Sequence, residues 1–339
     1  MSVDKHSELT APELSDSGRF VFRSPSLPGA LRLIRSFPNL GLFLSTVIFI
    51  VVTAILEPTF ASTINLRDVA RDWGILMAAS LGQMLVILIG GIDLSVSANI
   101  AFVSVAATQV ANHSGTGVGQ LVGLLIGIGI GTVNGLLISV LKIDAVIATV
   151  GTLQIFTGAA FLWSNGSPLQ ANPLSFLNLG TSTAFGVCYA TFIGVGLIVV
   201  GYLLLKRTVY GRYVYAIGGS EDAARAAGIN VGRYKAAAFV ISGLLSGVAG
   251  ILLASRVGGA SATLGSDILI NSVAAVFIGG VAFGGGVGGI AGVAVGALLI
   301  TAVTNGLEFY GISSFVEEIV TGVILIVSLY VTRLRKART

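Results

Sequence analysis

Long, nearly uninterrupted runs of apolar residues recur along the chain, separated by short polar or glycine-containing segments. A helix that crosses a bilayer needs about 20 predominantly apolar residues. Ten runs approach this length, although the eighth is short and the second and third nearly touch. They are residues 40–56, 73–92, 94–111, 119–141, 145–163, 185–205, 236–255, 268–283, 287–304 and 315–332. This pattern predicts an all-α integral membrane protein with about ten transmembrane helices.

The composition supports that class. Hydrophobic residues make up 54% of the chain and charged residues only 10%, whereas a soluble domain carries about 25% charged residues. Glycine recurs every four residues at Gly123, Gly127, Gly131 and Gly135, and again in 288–296. Small residues at this spacing let helices approach closely in lipid. Packing within the chain is the simpler interpretation, and a subunit interface or a pathway wall is the alternative.

The distribution of basic residues predicts the topology. An even number of spans places both termini on one side of the membrane, and Lys and Arg accumulate on the cytosolic side. With ten spans, the outer segments hold only Arg67, Arg71 and Arg256 of the 19 basic residues. We therefore expect both termini to be cytosolic. The net charge of +4 follows from this asymmetry and does not indicate a nucleic-acid partner.

The polar segments divide the chain. Residues 1–38 are rich in Ser, Pro and charge and are expected to form a disordered cytosolic tail. Residues 39–333 form the predicted membrane domain, and 334–339 form a basic cytosolic tail. The largest outer loop, 164–184, carries no charge, whereas the largest inner loop, 206–235, is densely charged. This difference suggests a cytosolic partner.

The inner loop contains signals for one short helix. Ser220 is a suitable N-cap, and Glu221 and Asp222 place negative charge in the first turn. Ala223, Ala224, Ala226 and Ala227 surround Arg225, Gly228 is a suitable C-cap, and Ile229 can close a hydrophobic contact. An isolated helix of this length is marginal in water, so it needs a partner surface.

Two interpretations of this helix remain open. It either packs as a surface turn on the cytosolic ends of the spans or docks in a cleft of another protein. The flanking residues Tyr210, Gly211, Arg212 and Tyr213, with Tyr215, would supply the aromatic surface that interfaces favour.

The stretch YGRYVYAIGGSEDAARAAGINV resembles the coupling loop of permease subunits of bacterial ATP-binding cassette (ABC) importers, in particular the ribose/xylose/arabinose branch. Four further segments agree with that family in fixed order across residues 60–331. They are GGIDLSVSANIAF, GTVNGLLISVLKIDAVIATVGT, SGLLSGVAGILLASRVGGASATLG and VAAVFIGGVAFGGGVGGIAGVAVGALLITAVTNGL.

The resemblance implies a multi-pass protein of the bacterial inner membrane. It implies two permease copies that form the pathway, a cytosolic ATP-binding subunit on the coupling helices, and a periplasmic binding protein that delivers a monosaccharide or polyol. By motif match, residues 221–228 would be the coupling helix. The chain departs from the family where relatives carry a Glu-Leu-Asp-type stretch, since it has Asp267 and Asn271 there, and in the segment WSNGSPLQ.

Nothing in the sequence predicts an enzyme. ATP binding through a P-loop needs GxxxxGK[ST], and no lysine here follows a glycine. The GxGxxG match at 284–289 lies between two apolar runs and is interpreted as a tight turn. His6, His113 and Cys188 have no neighbours at metal-ligand spacing, so neither a metal nor a cofactor is expected in this chain.

Polar and glycine residues inside or beside the spans are candidates for the translocation path. Hydrogen bonds between helices are the alternative role for each. The candidates are Gln83, Gly90, Gly91, Asp93, Ser95, Asn99, Asn134, Gln154, Asn271 and Asn305. A competing hypothesis for the whole chain is a secondary transporter driven by an ion gradient, which would need intramembrane ionisable residues.

Asp93 is the one charge in a long apolar stretch, within GGIDLSVS. Gly90 and Gly91 are suited to end one helix, and Asp93 to cap the next at the cytosolic face. The alternative is a deeper helix break that lines the pathway, as occurs in transporters.

Overall fold

The computed structural model describes residues 13–14, 20–21 and 40–336. The chain divides into two units, residues 1–41 and 42–339. The described part of the first contains an antiparallel pair of short strands, β1 (Glu13–Leu14) and β2 (Phe20–Val21). The predicted cytosolic tail at 1–38 otherwise lies outside the described residues, as does 337–339 of the C-terminal tail.

The second unit is built almost entirely from helices. Two short 3-10 segments, Pro58–Ala61 and Leu174–Leu177, and two further strand pairs accompany them. In the described residues the helices are α1 (Leu40–Leu56), α2 (Thr63–Leu88), α3 (Val96–Ser114), α4 (Thr116–Ser139), α5 (Ala145–Ser164), α6 (Asn178–Thr181), α7 (Tyr189–Arg207), α8 (Val209–Gly219), α9 (Glu221–Ala226), α10 (Val231–Val257), α11 (Ser266–Ile278), α12 (Ile290–Phe309) and α13 (Ser314–Lys336).

Every apolar run predicted to cross the membrane overlaps one of these helices. Within the described part of the chain, six helices are both long and apolar enough to do so: α2, α4, α5, α7, α10 and α12. The apolar helices α1 and α11 have only 17 and 13 residues. The all-α membrane class is therefore confirmed, whereas the number of ten spans and the side of the termini stay predictions.

Helix α10 is the central packing element of the second unit. It has 27 residues, so it is about 40 Å long at ~1.5 Å per residue, and it packs against α2, α3 and α4. A Cβ on Gly131 would overlap the Phe239 carbonyl oxygen, and one on Gly243 would overlap that of Gly127. The glycine repeat therefore serves close packing of α4 and α10 within the chain.

The glycine-rich segment between α11 and α12 is a turn, as predicted. Gly285 and Gly286 have φ of 79° and 71°, which glycine adopts at little cost. The Gly286 amide donates to the Leu88 carbonyl at 2.9 Å. The GxGxxG match thus packs on the end of α2 and has no strand–turn–helix context.

The long loop between α5 and α7 lies at the end of α10 remote from α9. Strands β3 (Leu169–Gln170) and β6 (Gly259–Ala260) pair antiparallel, as do β4 (Thr183–Ala184) and β5 (Val187–Cys188). The Ser255 hydroxyl donates to the Phe176 carbonyl at 2.6 Å and accepts from the Gly180 amide at 2.7 Å. These contacts attach the uncharged loop to α10.

Candidate functional site

Helix α9 has the caps that its sequence predicts. The Ser220 hydroxyl accepts from the Ala223 amide at 3.2 Å. At the other end Gly228 has φ of 82°, and the Ile229 amide donates to the Ala224 carbonyl at 3.0 Å, as in a Schellman C-cap. The helix itself covers Glu221–Ala226, so it is shorter than the 221–228 expected.

An ion-pair network attaches α9 to α10. The Glu221 carboxylate accepts from Lys235 Nζ at 2.6 Å and pairs with Arg225 one turn along α9. The hydrogen bond from Lys235 is the main cause of a lowered Glu221 pKa, against a smaller opposing effect of burial. The caps, this ion pair, and the packing of Ala224 and Ile229 on the core together hold a helix that would be marginal alone.

The outward face of α9 is formed by six exposed residues, most of them small. Ala224 is buried against the core, and Ile229 packs on it as expected. The remaining surface combines three alanines and a glycine with two charged side chains. The exposed residues are Asp222, Ala223, Arg225, Ala226, Ala227 and Gly228.

The inner loop also contains α8, which the sequence pattern did not predict. Thr208 caps it by accepting from the Gly211 amide at 3.2 Å, and Val214 and Ile217 are buried on one face. Apolar spacing of three and four residues was the available signal, and the glycines at both ends obscured it. A Cβ on Gly211 would clash with the Leu205 backbone, so glycine is needed there.

The tyrosines of α8 do not form the exposed aromatic surface that was expected. Tyr210 and Tyr213 pack on Tyr234 of α10 at ring-centroid distances of 5.9 and 5.0 Å. The Tyr215 hydroxyl donates to the Gly288 carbonyl at 2.9 Å. Burial raises the pKa of Tyr210. Only Arg212 of the predicted flank is exposed, so this flank serves packing within the chain.

A cavity of about 520 Å³ lies behind α9. It is lined by Glu221 and Lys235, by Lys142 of the α4–α5 turn, and by the backbone of Gly90 and Gly91. The turn after α2 therefore lies at the same end of the molecule as α9. Gly90 has φ of 86°, and the Gly91 amide donates to the Val86 carbonyl at 2.9 Å, so these glycines end α2 as predicted.

Asp93 occupies a different position from the predicted cap. Ser95, not Asp93, precedes the first residue of α3, and its side chain makes no capping bond. The Asp93 carboxylate accepts from the Ser95 amide at 3.0 Å, from the Ser95 hydroxyl at 2.6 Å and from the Ser242 hydroxyl at 2.9 Å. Asp93 is 2% exposed. It thus bonds across the turn and to α10 instead of capping α3.

Further polar side chains extend this cluster. The Asn134 amide donates to the Ser95 hydroxyl at 2.7 Å, and the Thr152 hydroxyl donates to Asn134 Oδ1 at 2.7 Å. Asn99 donates to the Gly243 carbonyl at 3.2 Å. Four helices, α3, α4, α5 and α10, therefore meet in one buried polar network.

Two glutamines among the predicted path residues lie outside the network. Gln83 on α2 is fully buried, and neither of its amide atoms has a hydrogen-bond partner among the described residues. Gln154 lies at the middle of α5 and is exposed on the outside of the chain.

A second cavity of about 850 Å³ lies at the opposite end of α10. Its lining includes Asn271, Asn305, Asp267, and the ion pair of Arg256 with Asp72, whose atoms are 2.8 Å apart. Asn305 exchanges two amide hydrogen bonds with Asn65, at 2.9 and 3.0 Å. The predicted path residues are thus divided among this cavity, the buried network, the α9 cavity and the outer surface, and Gln83 is buried apart from all four.

Comparisons with known proteins identify the family to which the chain belongs. Residues 65–329 match the family model described as the permease component of the branched-chain amino acid transport system. The chain belongs to this permease family. The resemblance to permease subunits of ABC importers is therefore confirmed, as is a multi-pass inner-membrane protein.

Curated relatives match over most of their length. The ribose import permease protein of Bacillus subtilis is 35% identical over 88% of this chain and 94% of its own. The L-arabinose transport system permease protein of Escherichia coli is 34% identical over 89% and 92%. The ribose import permease protein of Escherichia coli is 32% identical over 85% and 91%. No solved structure matches the chain.

Proposed function

We propose that the chain is the membrane subunit of an ATP-driven importer for a monosaccharide or a related polyol. The observation that carries this proposal is α9, a capped and exposed helix that is attached to the long helix α10 by the Glu221–Lys235 ion pair. Its exposed surface, in which alanines alternate with Asp222 and Arg225, is suited to fit into a cleft of a cytosolic ATP-binding subunit. The names of the relatives, which are ribose and arabinose permeases, support the substrate class.

The proposed importer has a defined topology and one partner protein on each side of the membrane. Ten spans with both termini cytosolic place α9 in the cytosol, and the second cavity and the uncharged loop in the periplasm. A periplasmic binding protein then delivers solute at that end. ATP hydrolysis belongs to the partner subunit, and this chain needs neither a cofactor nor a metal.

Gln154 supports a pathway between two copies of the chain. It lies at the middle of α5, is exposed, and makes no hydrogen bond to the described residues. Polar side chains at this depth are costly against lipid and normally face a partner or a water-filled cavity. A Cβ added to Gly151 or Gly158 on the same face would have no atom within 4 Å, which leaves room for a solute or a second copy. The amides of Asn271 and Asn305, which line the second cavity, are further proposed contacts for hydroxyl groups.

The docking of α9 is tested by changing its exposed surface. In the complete importer, Ala223→Trp should abolish co-purification of the ATP-binding subunit while the chain still inserts in the membrane. Ala223 makes no buried side-chain contact, so folding should be unaffected. The matched control is Leu174→Trp, since Leu174 is 81% exposed at the opposite end. Normal co-purification of the Ala223→Trp variant would contradict the proposal.

A second test distinguishes the alternative of an ion-coupled carrier. Gly228→Pro should uncouple ATP hydrolysis from uptake, because proline fixes φ near −65° and Gly228 has φ of 82°. Uptake is measured in proteoliposomes with labelled sugars, which also identifies the substrate. Gradient-driven uptake by this chain alone, without the ATP-binding subunit, would establish the carrier instead.

A further inference from the structure

We propose that Asp93 is a positioning residue that passes displacement of α9 into the helix bundle, and that it does not contact the transported solute. This inference rests on the proposed function, because it requires a partner that moves α9. It is carried by two side-chain contacts on one face of α10. One contact connects α10 to α9, and the other connects α10 to Asp93.

The first contact is the ion pair between Lys235 and Glu221. Lys235 lies in the second turn of α10, and its Nζ is 2.6 Å from Glu221 Oε2. Glu221 is the first residue of α9. A force applied to the exposed face of α9 therefore reaches α10 through a direct charged contact.

The second contact lies further along the same face of α10. Lys235, Phe239 and Ser242 are spaced by four and three residues, which places them on one side of a helix. Ser242 is about 10 Å beyond Lys235 at ~1.5 Å per residue. Its hydroxyl donates to Asp93 Oδ2 at 2.9 Å. Phe239 lies between them and lines the α9 cavity together with Gly91.

Beyond Asp93, the hydrogen bonds run in one direction. Thr152 of α5 donates to Asn134 of α4, Asn134 donates to the Ser95 hydroxyl, and Ser95 donates to Asp93 Oδ1. Each donor is thereby oriented by its acceptor. The series of hydrogen bonds ends at the Asp93 carboxylate, which accepts but does not donate hydrogen bonds when ionised. A shift of Ser242 relative to Asp93 therefore affects α3, α4 and α5 together.

The geometry distinguishes this role from solute binding. Both Asp93 oxygens already accept hydrogen bonds, and the residue is 2% exposed. The linings of the two cavities do not include it, although the neighbouring Gly90 and Gly91 line the α9 cavity. A carboxylate that binds hydroxyl groups of a solute would need an acceptor position directed into such a cavity.

The test uses the complete importer in proteoliposomes and measures solute molecules taken up per ATP hydrolysed. Asp93→Asn places an amide N–H₂ among hydrogen-bond donors, and Ser242→Ala removes the contact to α10. Both should lower the ratio about tenfold, with the milder Ser242→Ala keeping its thermal unfolding midpoint within a few degrees of wild type. Ser246→Ala is the matched control. It is one turn further along α10 and buried, and its hydroxyl has no partner among the described residues, so the ratio should be unchanged.

A double-mutant cycle separates transmission from local packing. If Lys235 and Ser242 act in one series, the Lys235→Met and Ser242→Ala effects on the ratio should not add. The pair Lys235→Met and Ser246→Ala should show the effect of Lys235→Met alone. A wild-type ratio in Ser242→Ala, or additive effects of Lys235→Met and Ser242→Ala, would overturn the inference. Failure of the proposed function is distinguishable, because the wild-type complex itself would then show no ATP-dependent uptake.

Discussion

The two ends of α10 are attached to the rest of the chain by different kinds of contact. At the end remote from α9, the buried Ser255 hydroxyl bonds two backbone groups of the long loop, and Gly180 packs directly on the α10 backbone. At the α9 end, Tyr210 and Tyr213 of α8 pack on Tyr234, and α9 itself is attached to α10 by an ion pair in which Glu221 is 38% exposed. Buried, close-packed contacts resist displacement, whereas exposed ion pairs contribute little stability. We infer that the remote end is the fixed end of α10 and that the α9 end is the one a partner can move.

The largest effect is expected at the fixed end. In Gly180→Val, the Cβ would overlap the Arg256 backbone nitrogen, so the loop must separate from α10. We expect a loss of about 3 kcal/mol in the free energy of unfolding, as for overpacking at a rigid site, measured by thermal unfolding in detergent. The control is Gly129→Val, because nothing lies within 4 Å of a Cβ at Gly129. Equal stability of the two variants would contradict a fixed end.

Removing the Ser255 hydroxyl should have the next largest effect. Ser255→Ala leaves the Phe176 carbonyl and the Gly180 amide without their partner, and an unpaired buried polar group costs about 1–3 kcal/mol. Ser246→Ala is a suitable control, because it removes a buried hydroxyl that has no partner in the described chain. A stability loss no larger than that of the control would show that the loop is held by other contacts.

The ion pair at the fixed end should contribute less. Arg256 and Asp72 are 2.8 Å apart but are 33% and 21% exposed, so solvent screens their attraction. Arg256→Gln should reduce the free energy of unfolding by about 1 kcal/mol or less. The same thermal unfolding measures this change. A larger loss would mean that the Arg256–Asp72 pair, and not Ser255, is the main contact that holds the fixed end of α10.

The smallest stability effect is expected at the α9 end, and it depends on pH. The pKa of Glu221 is lowered from 4.5, so its stabilising contribution is present above pH 4.5 and is lost as pH falls through the lowered value. Because Glu221 is 38% exposed, Glu221→Gln should cost only a few tenths of a kcal/mol. The difference between wild type and variant should disappear in strong acid. A difference that grows as pH falls would contradict this assignment.

The sequence predicted α9 better than the elements that surround it. The caps of α9 are local signals, Ser220 and Gly228 a few residues apart, so their pattern is readable along the chain. Helix α8 was missed because burial of Val214 and Ile217 by tertiary packing, not a strong local pattern, stabilises it. The partnership of Asn65 with Asn305 spans most of the chain, and no spacing rule connects such residues.

Asp93 shows, within a single motif, that contacts with distant residues cannot be predicted from the local sequence. Its position after Gly90 and Gly91 predicted a turn, and the turn is present. The expected cap is absent because Ser242, contributed by a distant helix, provides a hydrogen-bond donor that the local sequence does not reveal. Composition and periodicity therefore predict the helices, whereas the polar contacts between them depend on the packing of α10.

The central claim, that a partner subunit docks on α9, is tested most directly by site-specific cross-linking. The chain has a single cysteine, Cys188, which is buried, so an added cysteine on the surface can be modified alone. A photo-cross-linker on Ala226→Cys should attach to the ATP-binding subunit in the complete importer, and one on Leu174→Cys, at the fixed end, should not. Absence of the adduct at Ala226→Cys, or equal adducts at both positions, would contradict the account.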